Sequence, residues 1–346
     1  MKTSRTLPLA AIFCVMLAGR VSADPAPENP GPPDTSVEES TSRQSRADAW
    51  WTGPLLAASP TTLPAGHFLI EPYVFDAIPR GHYQNDGSIS SGPHENNFGS
   101  QGYILYGLID TISAGLIPRF GFNDWSQGRS SSGVQVGDLT LQAQYRLTQY
   151  EEGHWVPTTA LVVGETLPTG KFDRLGDRPS DGLGSGVYST TLSLYSQSFF
   201  WLPTGRILRV RLDMSHTFAS SGDLHDVSVY GTEQGFTGRV HTGASTVIDA
   251  AGEYSVTRNW VLAMDVIYEH DASTRVGGFN VAPESSGFGP MPFQFDSGSG
   301  HSWSLAPAVE YNFNSRVGVI GGAKLTAAGR NATAEVIPVA AINIVI

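Results

Sequence analysis

Residues 207–216 read ILRVRLDMSH: Leu208, Val210, Leu212 and Met214 hold the even positions, and Arg209, Arg211 and Asp213 the odd ones. A strand turns successive side chains to opposite faces, so one face is continuous hydrocarbon and the other carries three charges. The same two-residue period recurs along most of the chain. Alternating segments fall at 66–76, 99–109, 112–121, 137–148, 155–166, 187–199, 206–218, 246–256, 259–269, 301–313, 315–325 and 333–346. Such segments exceed the usual globular strand and match the ~9–11 residues that a tilted strand needs to cross a bilayer.

The connections sort by length. Asp110-Thr111, 149–154, 202–205, Thr257-Arg258 and Asn314 are short, whereas 77–98, 122–136, 167–186, 219–245 and 270–300 are long and rich in Gly and Ser. Short turns at one end and long loops at the other are the pattern of an outer-membrane barrel. A compact soluble domain has no use for five such loops. The expected fold is all-β: a transmembrane antiparallel barrel of about twelve strands over 66–346. An even strand count puts both termini at the short-turn, periplasmic end. No run after residue 23 approaches the ~20 apolar residues of a spanning helix.

The start of the chain reads as an export signal. Lys2 and Arg5 precede an apolar run, Leu7 to Ala18, and Val21-Ser22-Ala23 supplies the small residues of a cleavage point. Cleavage after residue 23 would remove Cys14, the one cysteine, and Lys2, Arg5 and Arg20. It would leave 18 basic residues against 32 acidic ones, a net of −14. Nucleic-acid binding needs a basic footprint and is not expected. Residues 24–48, rich in Pro, Glu, Asp, Ser and Thr, read as a disordered leader. The apolar stretch 49–65 follows. It is either a plug folded into the lumen, with Trp50, Trp51, Leu55 and Leu56 as its anchors, or a segment outside the lumen, at the barrel rim or unpacked.

Extending the register to every strand points fourteen charges inward: Glu71, Arg119, Asp138, Arg146, Arg209, Arg211, Asp213, Asp249, Glu253, Asp265, Glu269, Glu310, Lys324 and Glu335. Arg146, Arg209 and Arg211, with Asp138, Asp213, Asp249, Glu253, Asp265 and Glu310, are the candidate constriction. The same charges could instead fill a narrow barrel as ion pairs, since eight strands leave no channel and sixteen leave an open one. Outward rows end in aromatics, Trp260 and Tyr268 on one strand and Trp303 and Phe313 on another, as interfacial girdles do.

Two stretches, WWTGPLLAASPTTLPAGHFLIEPYVFD (50–76) and GETLPTGKFDR (164–174), resemble a bacterial outer-membrane transporter family, the "MetA-pathway of phenol degradation" type. The resemblance extends over most of 50–346 and implies a barrel that moves small molecules, aromatic compounds among them. The last strand ends Ile342-Asn343-Ile344-Val345-Ile346, without the terminal aromatic that the outer-membrane assembly machinery commonly reads. The expected partners are that machinery, the lipid bilayer and a small-molecule permeant.

Catalytic fingerprints are absent, and no cofactor or metal is called for. His216 and His301 near strand ends, and Asp173, Asp177 and Asp181 in one loop, are the remaining candidates for chemistry. A barrel with a hydrolase-like or purely structural role is the alternative. A positioned nucleophile–base pair would distinguish the enzyme.

Overall fold

The computed structural model describes residues 43–93, 95–281 and 289–346. The expected signal peptide, and the leader as far as residue 42, lie outside the described residues.

Twelve antiparallel strands cross the barrel in chain order: β1 Phe68–Tyr83, β2 Glu95–Ile109, β3 Ile112–Ile117 continued as Arg119–Trp125, β4 Leu139–Thr148, β5 Thr158–Leu167, β6 Ser189–Trp201, β7 Ile207–Ala219, β8 Ser245–Ser255, β9 Trp260–Asp271, β10 Gly300–Asn312, β11 Val317–Arg330 and β12 Ala332–Val345. Each strand pairs with its neighbours in sequence. β1 also pairs with β12, Tyr73 opposite Ala341, which closes the sheet on itself. Closure removes the unpaired edge that a bilayer would not tolerate. Among the described residues no helix is long and apolar enough to cross a membrane.

The alternation predicts the faces correctly. Along β7, Arg209, Arg211 and Asp213 are buried inside, while Leu212 and Met214 are exposed outside. Outward rings pair near both ends of the apolar band: Trp260 with Tyr311 at 4.8 Å, and Tyr268 with Trp303 at 4.9 Å. Each pair is separated from the other by eight residues along β9 or β10, about 27 Å of strand. At a tilt of ~35–45° that is roughly 20 Å of height, a little under the ~25 Å apolar band of such barrels.

The long connections carry more strand than their Gly/Ser content suggests. β1 runs on to Tyr83 through a bulge between Pro79 and Gly81. Four short strands, Ser221–His225, Phe236–His241, Arg275–Asn280 and Met291–Asp296, form a separate sheet beyond the barrel. It packs over a cluster that includes Leu224, Val229, Tyr230, Phe236 and Val276. Glycines are spared a side-chain clash there: a Cβ on Gly238 would lie 2.3 Å from the Gly277 carbonyl oxygen. Local composition reads as turn, but pairing between distant segments decides the outcome.

The inner wall is not polar throughout. Ala263, Ile267, Ala306, Ala308, Ile320, Ile337, Val339 and Ala341 form a buried apolar sector with Leu69, Tyr73 and Tyr103. Small and branched side chains leave room there for something else to pack.

Candidate functional site

The occupant is the segment that leads into β1. At the short-turn rim the Gln44 amide N–H donates to the Gly205 carbonyl (2.9 Å), and its side-chain Nε2 donates to Ser255 Oγ (2.8 Å). Arg43 lies 3.0 Å from Glu152 and its guanidinium stacks on Trp201. Ser45 caps a single 3-10 turn, Arg46–Asp48. The Trp50 N–H donates to the Arg258 carbonyl (3.0 Å), and the Arg258 guanidinium covers the Trp50 ring.

Beyond Trp50 the backbone enters the barrel, where three inner-wall carboxylates on three strands take its N–H groups. Glu310 Oε2 on β10 accepts from Thr52 (2.7 Å) and Gly53 (3.0 Å). Asp265 on β9 accepts from Leu55 (2.9 Å), Leu56 (3.1 Å) and Ala57 (2.9 Å). Asp213 on β7 accepts from Ala58. Carbonyls of the segment accept in turn: Arg211 Nη1 donates to Ala57 O (2.9 Å) and Gln144 Nε2 to Ser59 O (3.1 Å). The chain then returns to the short-turn end, where the Leu63 N–H donates to Ser113 Oγ (2.9 Å) and the Ala65 N–H to Asp110 Oδ1 (3.0 Å).

Apolar contacts complete the fit. Leu55 and Leu63 are fully buried in the Ala/Ile/Val sector, and Ala58 lies against Val162 and Tyr195. Trp51 sits edge-on to Phe199, under the Arg209 guanidinium at 4.6 Å. Gly107 has a structural requirement: a Cβ there would lie 2.1 Å from the Pro64 carbonyl oxygen. A buried backbone must satisfy its polar groups, and the carboxylates supply what a sheet partner would.

Most of the other candidate charges are also engaged. Arg209 donates through Nε and Nη2 to both oxygens of Glu253 at 2.6 Å, and Arg211 Nε donates to Gln197 Oε1 at 2.9 Å. The register sets Asp213 opposite Asp249 on β8. Like charges opposed across a pair repel, so the Ala58 N–H that Asp213 accepts matters to it. In the other half of the lumen, Lys324 Nζ donates to both oxygens of Glu269 (3.0 and 2.9 Å). Asp138 Oδ1 accepts the Gly170 N–H (2.9 Å), and its Oδ2 accepts the Ser185 N–H (2.7 Å) and hydroxyl (2.6 Å). The β5–β6 connection thus folds onto the inner wall, with Leu183 against Gly121 and Gly137. Arg146 is half-buried near the β2–β3 turn, where its N–H donates to the Thr111 carbonyl.

The structure does not bring the candidate chemical groups together. Asp173 caps the His225 N–H, Asp177 pairs with the exposed Arg129, and Asp181 holds the Ser132 backbone. Among the described residues no group of three His, Cys, Asp or Glu side chains could hold a metal ion. His216 contacts Thr246 Oγ1 (2.8 Å) on the outer face. A Ser–His contact that sequence reasoning missed, Ser221 Oγ to His241 Nδ1 at 2.6 Å, joins residues directly paired in the outer sheet. The next strand places Arg275 beside His241. A catalytic base needs an orienting acceptor there, and a cation does not provide one.

No protein-family model and no curated protein matches the sequence. Solved structures do match. An outer membrane channel from Pseudomonas putida F1 superposes with a TM-score of 0.62 at 18% identity, over 83% of this chain and 98% of that one. A TodX monoaromatic hydrocarbon channel (deltaS2 mutant) reaches 0.40 at 12% identity, over 86% and 94%. The β domain of the Bordetella autotransporter BrkA reaches 0.41 at 11%, over 81% and 99%. The first of these supports the fold assignment: the chain is a twelve-stranded barrel of the outer-membrane class. With no sequence match, the MetA-type resemblance rests on 50–76 and 164–174.

Proposed function

We propose that the protein is an outer-membrane channel for small molecules whose resting lumen is occupied by its own segment 51–63. The observation that carries the reading is the transfer of six backbone N–H groups, from Thr52, Gly53, Leu55, Leu56, Ala57 and Ala58, to Glu310, Asp265 and Asp213. A lumen filled only for stability would be met more simply by ion pairs across the wall, like Arg209–Glu253. A segment joined to β1 and anchored at the rim can leave and return without unfolding the barrel.

In this reading both termini and the short turns face the periplasm, and the long loops face outward. The chain is exported with its first 23 residues removed and is inserted by the outer-membrane assembly machinery. Small molecules are the permeants, aromatic compounds among them, as the resemblance to the MetA-type family implies. Support comes from the closed barrel, the paired aromatic girdles and the sorted connections.

Deletion of 24–60 tests it in planar bilayers. The expected result is a larger single-channel conductance than that of the mature chain, with the heat-modifiable shift of a folded barrel retained. Equal conductance would remove the plug. An enzymatic barrel is the competing class, and Ser221→Ala leaves any ester hydrolysis unchanged if the channel reading holds.

A further inference from the structure

The outward face holds one ionisable cluster that the lumen reading leaves unused. Strand register places His270 on β9 opposite His301 on β10, and His301 opposite Arg330 on β11. The three side chains therefore occupy one rung on adjacent strands. Strands lie ~4.8 Å apart, so the rung spans about 10 Å. Alternation puts His270 on the face of Val266 and Tyr268, and His301 on that of Trp303 and Leu305, all outside the barrel. Arg330 is exposed, and among the described residues none of the three side chains makes a hydrogen bond or ion pair.

Height decides what such a cluster meets. Tyr268 and Trp303 form the girdle at the long-loop end. His270 and His301 stand two residues farther along their strands, about 7 Å beyond the rings. Girdle aromatics sit at headgroup level, so this rung lies where lipid phosphates are. Arg matches phosphate bidentately, and an imidazole donates an N–H in either tautomer. Two acids lie close by: Asp271, on the opposite, inner face of β9, which feels His270, and exposed Asp86, which feels Arg330 and is held by the Ser88 hydroxyl and N–H.

We infer that His270, His301 and Arg330 form a docking site for the phosphorylated headgroup of an outer-leaflet glycolipid. The inference rests on the outward placement of the long loops proposed above. The test uses the full mature protein in detergent and reads binding of bisphosphorylated lipid A by native mass spectrometry. Dephosphorylated lipid A, phosphatidylglycerol and inorganic phosphate are the comparison probes.

Lipid A is expected to bind at least tenfold more tightly than its dephosphorylated form and than phosphatidylglycerol. The triple variant His270→Gln, His301→Gln, Arg330→Gln should lose about 10- to 100-fold of that affinity, the scale of one or two charge-assisted hydrogen bonds. Arg316→Gln, in the short turn at the opposite rim, should lose none. Equal binding by the triple variant, or by the dephosphorylated lipid, overturns the site. Displacement of lipid A by millimolar inorganic phosphate overturns the commitment to a lipid. Fractionation and heat-modifiable mobility of the same variants separate these failures from failure of the outer-membrane reading itself.

Discussion

Asp265→Asn is the sharpest perturbation of the lumen segment. One carboxylate holds three consecutive amides there, those of Leu55, Leu56 and Ala57. Asparagine keeps the shape but offers one acceptor oxygen and a donor. If its oxygen faces Leu56 and Ala57, both bonds fall from the charged to the neutral range, a loss of about 1 kcal/mol each. The Leu55 N–H then faces an NH2 group and goes unsatisfied inside the wall, at about 1–3 kcal/mol. Removing a buried charge returns part of this. The net shift toward the released segment is about 2–4 kcal/mol, or roughly 30- to 1,000-fold in its equilibrium. The readout follows from composition. Cys14 is the only cysteine in the chain and lies in the segment expected to be cleaved, so Ala57→Cys introduces a unique thiol. Its maleimide labelling rate in the folded protein should rise by that factor when Asp265→Asn is added. Glu269→Gln, a lumen acid bound to Lys324 rather than to the segment, should leave the rate unchanged. If Asp265→Asn labels as slowly as its parent, the carboxylates do not hold the segment.

Three further outcomes test the rest of the structure. Arg209→Ala leaves Glu253 buried beside the Glu310 carboxyl, with the Arg211 guanidinium at 3.6 Å as its nearest cation, and should destabilise the barrel by about 3 kcal/mol; the midpoint temperature of the electrophoretic shift reads it. Leu212→Arg, on the exposed face of β7, should cost ~2–4 kcal/mol in guanidinium unfolding from lipid vesicles, as expected for a lipid-facing charge near the midplane. In the outer sheet, hydrogen bonds from the Ser273 hydroxyl, above all, and from the Gly298 N–H and Arg275 hold the Asp296 carboxyl below the usual range. A depressed value stabilises above the unfolded pKa and is lost as pH falls through the folded one. Hydrogen exchange at Gly298 should therefore accelerate only below the ordinary carboxylate range, and Asp296→Asn should remove that dependence.

The twelve strands were legible because the side-chain period and the bilayer length are both written locally. The same alternation also placed the inner row of β7 correctly. What could not be read was pairing between segments far apart. The stretch 77–83 looks like loop, with Pro79 and Gly81 in it, but pairs with 332–336 and extends β1. The outer sheet joins 221–241 with 275–296, and no local pattern announces such a partnership. The lumen segment was half legible. Its apolar character was plain, and its small residues Gly53, Ala57 and Ala58 allow a backbone to approach a wall closely. The charge count, nine inward acids against five inward bases, is legible too, but nothing local says which donors answer it.

That imbalance has a physical resolution in the segment itself. A carboxylate buried in a narrow barrel needs donors, and the wall supplies few cations. Glu310, Asp265 and Asp213 find them in amides, which carry no net charge and bring no long side chain into the space. An arginine or lysine in the same place would pair more strongly and would hold the lumen shut as firmly as Arg209 holds Glu253. Amide donors on a segment tethered to β1 satisfy the same oxygens and would be replaceable by water in the withdrawal proposed above. In the proposed channel the excess of acids would serve a closure that can be reversed, whereas a filler made of matched ion pairs would have had no reason to carry it.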